Sequence, residues 1–353
     1  MPAHLLAPDA PLTLTTLADL LASGETVALA PGVAAGFAPA GAPAPAAELD
    51  ALRAGACGTG PEVPQPLVRL MLLLTAQQLV NQPAGLATST AERLLALYNR
   101  ELLPVVFEQG GDAAARAHLA LPLLGEGEVN YQGYRLATAD ALSLFSWAPL
   151  ALRAGEAAAL GRGAPLALAY AVDALLRTRR LLGAVPVVRA LSPDTAEDAM
   201  GPAVAALAAA EPAVEQALGA ASVPLAPALG PLAEAVAALG RASAGRTGQW
   251  AAALGAGAAG LAAHSLVASQ SIKAETDVYA AQRTRQLVEN AEQLLGMELL
   301  AAAQAREAGP GAGSYTGLLA AFRAAVPATG PGQAPYPALR LAAAFVRSRA
   351  WEA

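Results

Sequence analysis

Cysteine is almost absent from this chain of 353 residues, with Cys57 the single one. No intrachain disulfide can form, nothing points to an oxidising compartment, and a cytoplasmic setting is the expectation. Cys57 has only Arg53 as a nearby basic residue and reads as an inert thiol. Aromatic residues make up 4% of the chain, which favours helices packed through small side chains over a β-rich fold. Basic blocks are missing and the net charge is −6, which argues against nucleic acid as a partner. The three histidines, His4, His118 and His264, show no pair at ligand spacing, so no zinc or iron site is expected. Gly110-Gly111 and Gly125-Glu126-Gly127 lack the lysine or the third glycine of a phosphate loop. The apolar start over residues 1–9 has no basic region ahead of it, so a signal peptide is not expected.

What the chain has in abundance is alanine and leucine, with hydrophobic residues at 55%. Apolar spacing predicts a helix over Pro11 to Ser23 and a strong one over Gln65 to Val80, limited by Pro83. Thr88 to Glu92 looks like a capped start for a helix running through Tyr98. Residues 27–47, rich in Gly, Pro and Ala, read as a loop. Val129 to Leu136 predicts a small hairpin about Gln132-Gly133. A helix from Ala164 to Leu182 ends in Arg177, Arg179 and Arg180, which read as a solvated cationic terminus. Residues 192–245 read as two helices broken by Pro224, Pro227 and Pro231. Trp250 to Ser269 has no charged residue and meets the length of a membrane span. Its Ala and Gly content reads better as a buried bundle helix, and no membrane partner is expected. Thr276 to Arg306 predicts the longest helix, roughly 45 Å by helical rise, with apolar residues on several sides as in an inner bundle helix. Two closing helices are expected at Tyr315 to Val326 and Pro337 to Val346.

The stretch Pro104 to Val129 carries the most information. It runs Phe107-Glu108-Gln109-Gly110-Gly111-Asp112, then His118, the apolar run Leu119 to Leu124, and Gly125-Glu126-Gly127-Glu128. It resembles the active-site loop of the histidine/phenylalanine ammonia-lyase family, with its centre removed. Leu67 to Gly85, Leu175 to Leu182 with Ala190-Leu191, and Gln282 to Ala305 are similar to other family helices, in the same order. The resemblance implies a mainly α fold, a long helical bundle with a smaller N-terminal region of helices and loops. It places the collapsed loop (107–118) in an N-terminal region 1–148, and the bundle with its closing helices in 149–353.

In that family an Ala-Ser-Gly tripeptide in the loop cyclises into an electrophilic methylidene-imidazolone group. Here only Gln109, Gly110 and Gly111 stand between Glu108 and Asp112, and the prosthetic group is expected to be absent. The family's tyrosine base falls on Pro31, and the His of its Ser-His pair falls on Gly55. Its amide motif falls near residues 160–163, and a further polar motif near Ser269 to Lys273, where only Gln270 matches. The degenerate active-site positions are therefore Pro31, Gly55, Gly110, Gly111, Asp112, Gln270 and Ser271. The stretch in which the family keeps a second tyrosine and a carboxylate-binding arginine is largely missing between Ala190 and Ser265.

Elimination of ammonia needs an electrophile, a base and a cation for the carboxylate. None of the three is visible, and His118 and Lys273 are the residual candidates for a base. His118 reads more simply as a structural residue of the loop, His264 as a core residue, and Glu126 and Glu128 as a solvated edge. Two functions stay open. One is a non-catalytic assembly or regulatory subunit, joined to itself as a dimer or tetramer or to a complete ammonia-lyase. The other is a lyase that works without the electrophile on a substrate with a good, quaternary ammonium leaving group.

Overall fold

A computed structural model describes residues 3–8, 10–37, 41–83, 85–191, 199–220, 223–249, 276–308, 317–329 and 333–348. The described chain is predominantly helical, as its composition predicts. It divides into two compact units: residues 1–172 with 213–225, and residues 173–212 with 226–353. The division falls within a helix near residue 172 rather than at residue 148.

The first unit opens with strand β1 (His4–Leu6), helix α1 (Leu14–Ser23) and strand β2 (Val27–Leu29). β1 and β2 pair in parallel, His4 against Val27. α1 starts three residues after Pro11 because Thr13 caps it, its hydroxyl accepting the Thr16 N–H at 3.1 Å. Leu14, Leu17 and Leu20 are its buried stripe. The expected loop over 27–47 is thus partly structured: it holds β2, a 3-10 turn over Val33–Gly36 and the start of α2 (Ala46–Gly55). Parallel pairing with a strand far back in the chain supplies what local propensity does not.

Strand β3 (Thr59–Glu62) leads to α3 (Gln65–Asn81), which is buried along most of its length. α4 (Thr88–Asn99) follows. Its expected local cap is not used. The N-cap is Ala87, with no side-chain bond of its own. Glu156, 1% exposed, accepts the Ala87 N–H at 2.8 Å and the Thr90 hydroxyl at 2.7 Å. A remote carboxylate thus neutralises the positive end of the helix. At its other end the Asn99 amide bonds both the N–H and the C=O of Val27, each at 2.8 Å.

Strands β4 (Leu103–Pro104) and β5 (Phe107–Gln109), helix α5 (Gly111–Ala120), and strands β6 (Glu128–Tyr131) and β7 (Tyr134–Ala137) come next. The order β4-β6-β7 forms one antiparallel sheet. The predicted hairpin is present: Gln132 (φ 51°) and Gly133 (φ 82°) make the two left-handed residues of a type I′ turn. Glu126, just before β6, and Glu128, on β6, reach solvent and are bonded to Arg53 and Arg135. α6 (Thr138–Leu144), α7 (Glu156–Leu160) and α8 (Pro165–Arg189) complete the run.

α8 continues past the predicted stop at Leu182. The expected solvated cluster is corrected accordingly: Arg177 is 7% exposed and Arg179 pairs with Glu211 at 2.6 Å. The second unit is built from α9 (Met200–Gly219), α10 (Ala226–Gln249), α11 (Asp277–Ala308), α12 (Leu318–Ala325) and α13 (Tyr336–Arg347), with residues 213–219 of α9 and 165–172 of α8 counted in the first unit. Pro212 and Pro231 lie inside α9 and α10, so Pro231 does not end a helix as expected. α11 packs on α10 and α13, and Leu287, Leu294 and Leu295 are buried. The contact with α13 is made backbone to backbone: a Cβ on Gly296 would lie 2.8 Å from the Ala343 nitrogen.

Two carboxylates of α11 are buried with arginines. Arg177 donates Nε to Glu292 Oε1 at 3.0 Å and Nη2 to Oε2. Burial opposes the Arg177 charge, but its bonds to Glu292 more than offset this and its pKa stands above the ordinary value. Glu298, 0% exposed, is held by Arg246 at 2.5 and 2.9 Å and by the Ser243 hydroxyl at 2.8 Å. Residues 156–189 are long and apolar enough to cross a membrane by length and composition alone. Two thirds of the apolar window is buried, as in the core helix of a folded unit.

Candidate functional site

The shortened loop is a tight link between β5 and α5. β5 pairs antiparallel with β3, Gln109 opposite Thr59 and Phe107 opposite Glu62. Gly110 (φ 124°) and Gly111 (φ 69°) then turn the chain into α5. Both conformations favour glycine, and at Gly110 space forbids anything larger. A Cβ there would meet Ala114 Cβ at 2.7 Å and Gly58 Cα at 3.1 Å. The Gln109 side chain lies over Gly60, where a Cβ would be 2.7 Å from Gln109 Cδ.

The residues on either side of the link hold α8. Asp112 Oδ1 accepts the N–H groups of Leu166 and Ala167 at 2.8 and 3.2 Å. These are open donors at the start of the helix, next to Pro165, which has none. Glu108 accepts the hydroxyl of the buried Tyr170 at 2.7 Å. His118, on α5, accepts the Gly58 N–H on Nε2 at 3.2 Å and meets the Phe107 ring edge-on at 5.3 Å. Burial lowers its pKa. The ring is a neutral acceptor with its proton on Nδ1.

The structure therefore brings Gly110, Gly111, Asp112 and His118 together around β3 and β5. Gly55 ends α2 on the adjoining seam, where a Cβ would sit 3.3 Å from Ala117 Cβ of α5. Pro31 is exposed on the turn after β2. Gln270, Ser271, Lys273 and His264, with the helix expected at 250–269, lie outside the described residues. No group of three or more His, Cys, Asp or Glu side chains suited to a metal occurs among the described residues.

Sequence reasoning missed the Glu108–Tyr170 and Asp112–α8 links, because the partners stand 62 and 54 residues away. It also passed over an Ala-Ser-Gly tripeptide elsewhere, Ala22-Ser23-Gly24. That tripeptide is the ordinary end of α1: Gly24 takes the left-handed conformation and its N–H bonds Leu20 O at 3.1 Å. With that nitrogen engaged to the helix, the geometry is that of a C-cap and not of a ring closure onto Ala22.

The helical fold is that of the ammonia-lyases. The profile of the aromatic amino acid lyase family matches residues 42–225, more than half of the chain, and the chain belongs to that family. It is 41% identical over 139 residues to a histidine ammonia-lyase of Geobacillus thermodenitrificans strain NG80-2, covering 38% of this chain and 28% of that protein. The chain thus matches less than a third of the length of that relative. In fold it is similar to a histidine ammonia-lyase from Trypanosoma cruzi, with a TM-score of 0.82 and 18% identity over 99% of this chain and 94% of that one. The ergothioneine-degrading enzyme of Treponema denticola gives a TM-score of 0.77 and 14% identity, over 98% of this chain and 99% of that one.

Proposed function

We propose that this chain is an ammonia-lyase-like protein that has lost elimination through the methylidene-imidazolone group and acts as a non-catalytic assembly or regulatory subunit. The observation that carries this reading is the link Gln109-Gly110-Gly111 between Glu108 and Asp112. It contains no serine to dehydrate, and its backbone is packed so closely on Gly58 and Ala114 that a Cβ at Gly110 does not fit. The residues present do not fit the prosthetic group. Asp112 and Glu108 support the reading from the other side, since their carboxylates bond α8. His118 accepts a backbone N–H with the nitrogen that a base would need. The partner is a second copy of this chain or a complete ammonia-lyase, in the cytoplasm.

Intact-mass measurement tests this directly. The expected mass is that of the unmodified chain, with no loss of two waters at the loop or at Ala22-Ser23-Gly24. Absorbance assays for urocanate and cinnamate should stay at background with concentrated protein. Turnover that survives removal of host lyase would overturn the reading, with His118→Gln and Lys273→Gln the first variants to examine. Electrophile-free elimination is separated by a betaine-type amino acid: thermal stabilisation by that compound, with release of its amine, favours the second function.

A further inference from the structure

In a chain with only 4% aromatic residues, Tyr131, Tyr134, Phe145 and Trp147 stand together on the first unit. Tyr131 and Tyr134 face each other across the β6–β7 turn, which puts their side chains on one side of the hairpin. The Tyr131 ring meets Phe145 edge-on at 5.6 Å, and Phe145 stacks on Trp147 at 4.9 Å with 29° between the ring planes. The turn after α6 fixes that stack. The Trp147 N–H donates to Leu142 O and the Ser146 N–H to Ser143 O, both at 3.0 Å, the paired bonds of a Schellman end. Ser146 holds the left-handed φ of 55° that glycine usually supplies there. The rings are thus set by the backbone before any partner arrives. Tyr134 is 72% and Leu144 63% exposed, the two most exposed large apolar side chains described in the first unit.

Two arginines of α4, seven residues apart and so on one face of the helix, back the stack. The Arg93 guanidinium lies over the Trp147 ring at 5.0 Å and donates to Ala148 O at 3.0 Å. Arg100 lies over Phe145 at 5.7 Å. Arg53 and Arg135 of the same unit are paired with glutamates, but neither Arg93 nor Arg100 has an ion pair among the described residues. Burial lowers the Arg93 pKa, with no carboxylate to offset it. Tryptophan, tyrosine and arginine are the side chains that carry most of the energy of protein interfaces.

The charges around the patch choose its occupant. Two cations neutralise too few phosphates for nucleic acid. A broad anionic membrane would also meet the exposed Glu92, next to Arg93, and the exposed Asp140, one turn before Leu144 on α6. A narrow segment escapes both. We infer that the surface made by the β6–β7 hairpin, the turn after α6 and the Arg93–Arg100 face of α4 docks an acidic peptide segment of a partner protein. Its carboxylates meet Arg93 and Arg100, and an apolar side chain covers Leu144 and the ring stack. This surface belongs to the first unit alone and does not rest on the subunit reading.

Panning a random-peptide phage library on the full chain tests it, with the Arg100→Glu, Leu144→Glu double variant as counter-selection. Enriched peptides are then titrated by fluorescence anisotropy. They are expected to combine Asp or Glu with Leu, Phe or Trp, and to bind more weakly as salt rises. Trp147→Ala should weaken binding by roughly thirtyfold or more, as loss of a central interface aromatic does. Arg100→Glu should weaken it by roughly tenfold or more through like-charge repulsion. Arg100 and Leu144 are exposed, so their variants report even where Trp147→Ala does not fold. No enrichment over the double variant, or a basic or uncharged consensus, would overturn the inference. So would pelleting with phosphatidylserine vesicles that Leu144→Glu abolishes, or a loss of self-association on Leu144→Glu, since either would give the patch a different occupant.

Discussion

At the scale of single residues, what stands around the shortened loop serves the fold. Asp112 keeps the place it has in the family pattern, yet its oxygen bonds the first open N–H groups of α8. Asp112→Ala should cost about 0.5–2 kcal/mol, as loss of a helix cap does. Asp112→Asn, which keeps the acceptor, should cost less. Urea unfolding midpoints measure both, and equal losses in the two variants would deny the capping role. His118 gives a test in pH. Its Nε2 accepts the Gly58 N–H, so the folded chain favours the neutral ring, and burial holds its pKa below the ordinary value. The unfolded chain therefore takes up a proton at about pH 6.5 that the folded chain refuses until lower pH. Stability contributed by the neutral ring is full above about pH 6.5 and is lost as pH falls from there through the folded pKa. Melting temperatures between about pH 5 and 8 should fall toward acid more steeply in the wild type than in His118→Gln. A difference between them that does not vary with pH would refute the account.

At the scale of elements, legibility follows the range of the interaction. α3, α11 and the β6–β7 hairpin could be read from apolar spacing and a Gln-Gly turn, all within a few residues of themselves. The fate of Arg177 could not, because Glu292 lies 115 residues away, and a run of arginines late in a helix reads equally well as a solvated end. The cap of α4 by Glu156 fails to show for the same reason, its bond to Thr90 spanning 66 residues. Of the candidate site, the missing tripeptide was legible as a gap in a pattern. The closure of that gap by β3 was not, since pairing across about 50 residues leaves no local trace. The Arg177–Glu292 pair makes a prediction at this scale. Glu292→Ala leaves the buried guanidinium only Asp173, 3.6 Å from its Nη1, and should cost up to about 3–5 kcal/mol. The double variant Arg177→Met, Glu292→Leu should recover most of that loss, because a buried pair is often no better than apolar residues of similar volume. Chemical denaturation of the two proteins decides it: a double variant as unstable as the single one would show that the pair itself, and not the orphaned charge, carries the effect.

At the scale of the whole molecule, the fold is that of the aromatic amino acid lyases, while the link between Glu108 and Asp112 carries no Ala-Ser-Gly tripeptide. The proposed subunit role requires the chain to associate. Alanine faces let helices of two copies approach closely, but Ala301-Ala302-Ala303 is already buried within one chain, since α11 packs on α10 and α13, and offers no contact surface between copies. The large apolar side chains left exposed on the second unit are Val204, Tyr279, Tyr336 and Leu341. Single exposed apolar residues are ordinary on a monomer, so their number alone decides nothing, but each would gain from burial against a second copy. The expected state is a homo-oligomer, dimer or tetramer, at micromolar concentration. Light scattering coupled to size exclusion measures it. Leu341→Glu and Val204→Glu should lower the mass. On a monomer such exposed substitutions change stability by no more than about 0.5 kcal/mol, so the melting temperature at high dilution serves as the control. A wild-type mass equal to one chain would remove self-association. Co-elution with a complete ammonia-lyase would then be the remaining form of the subunit reading, and a single-chain mass in that mixture too would end it.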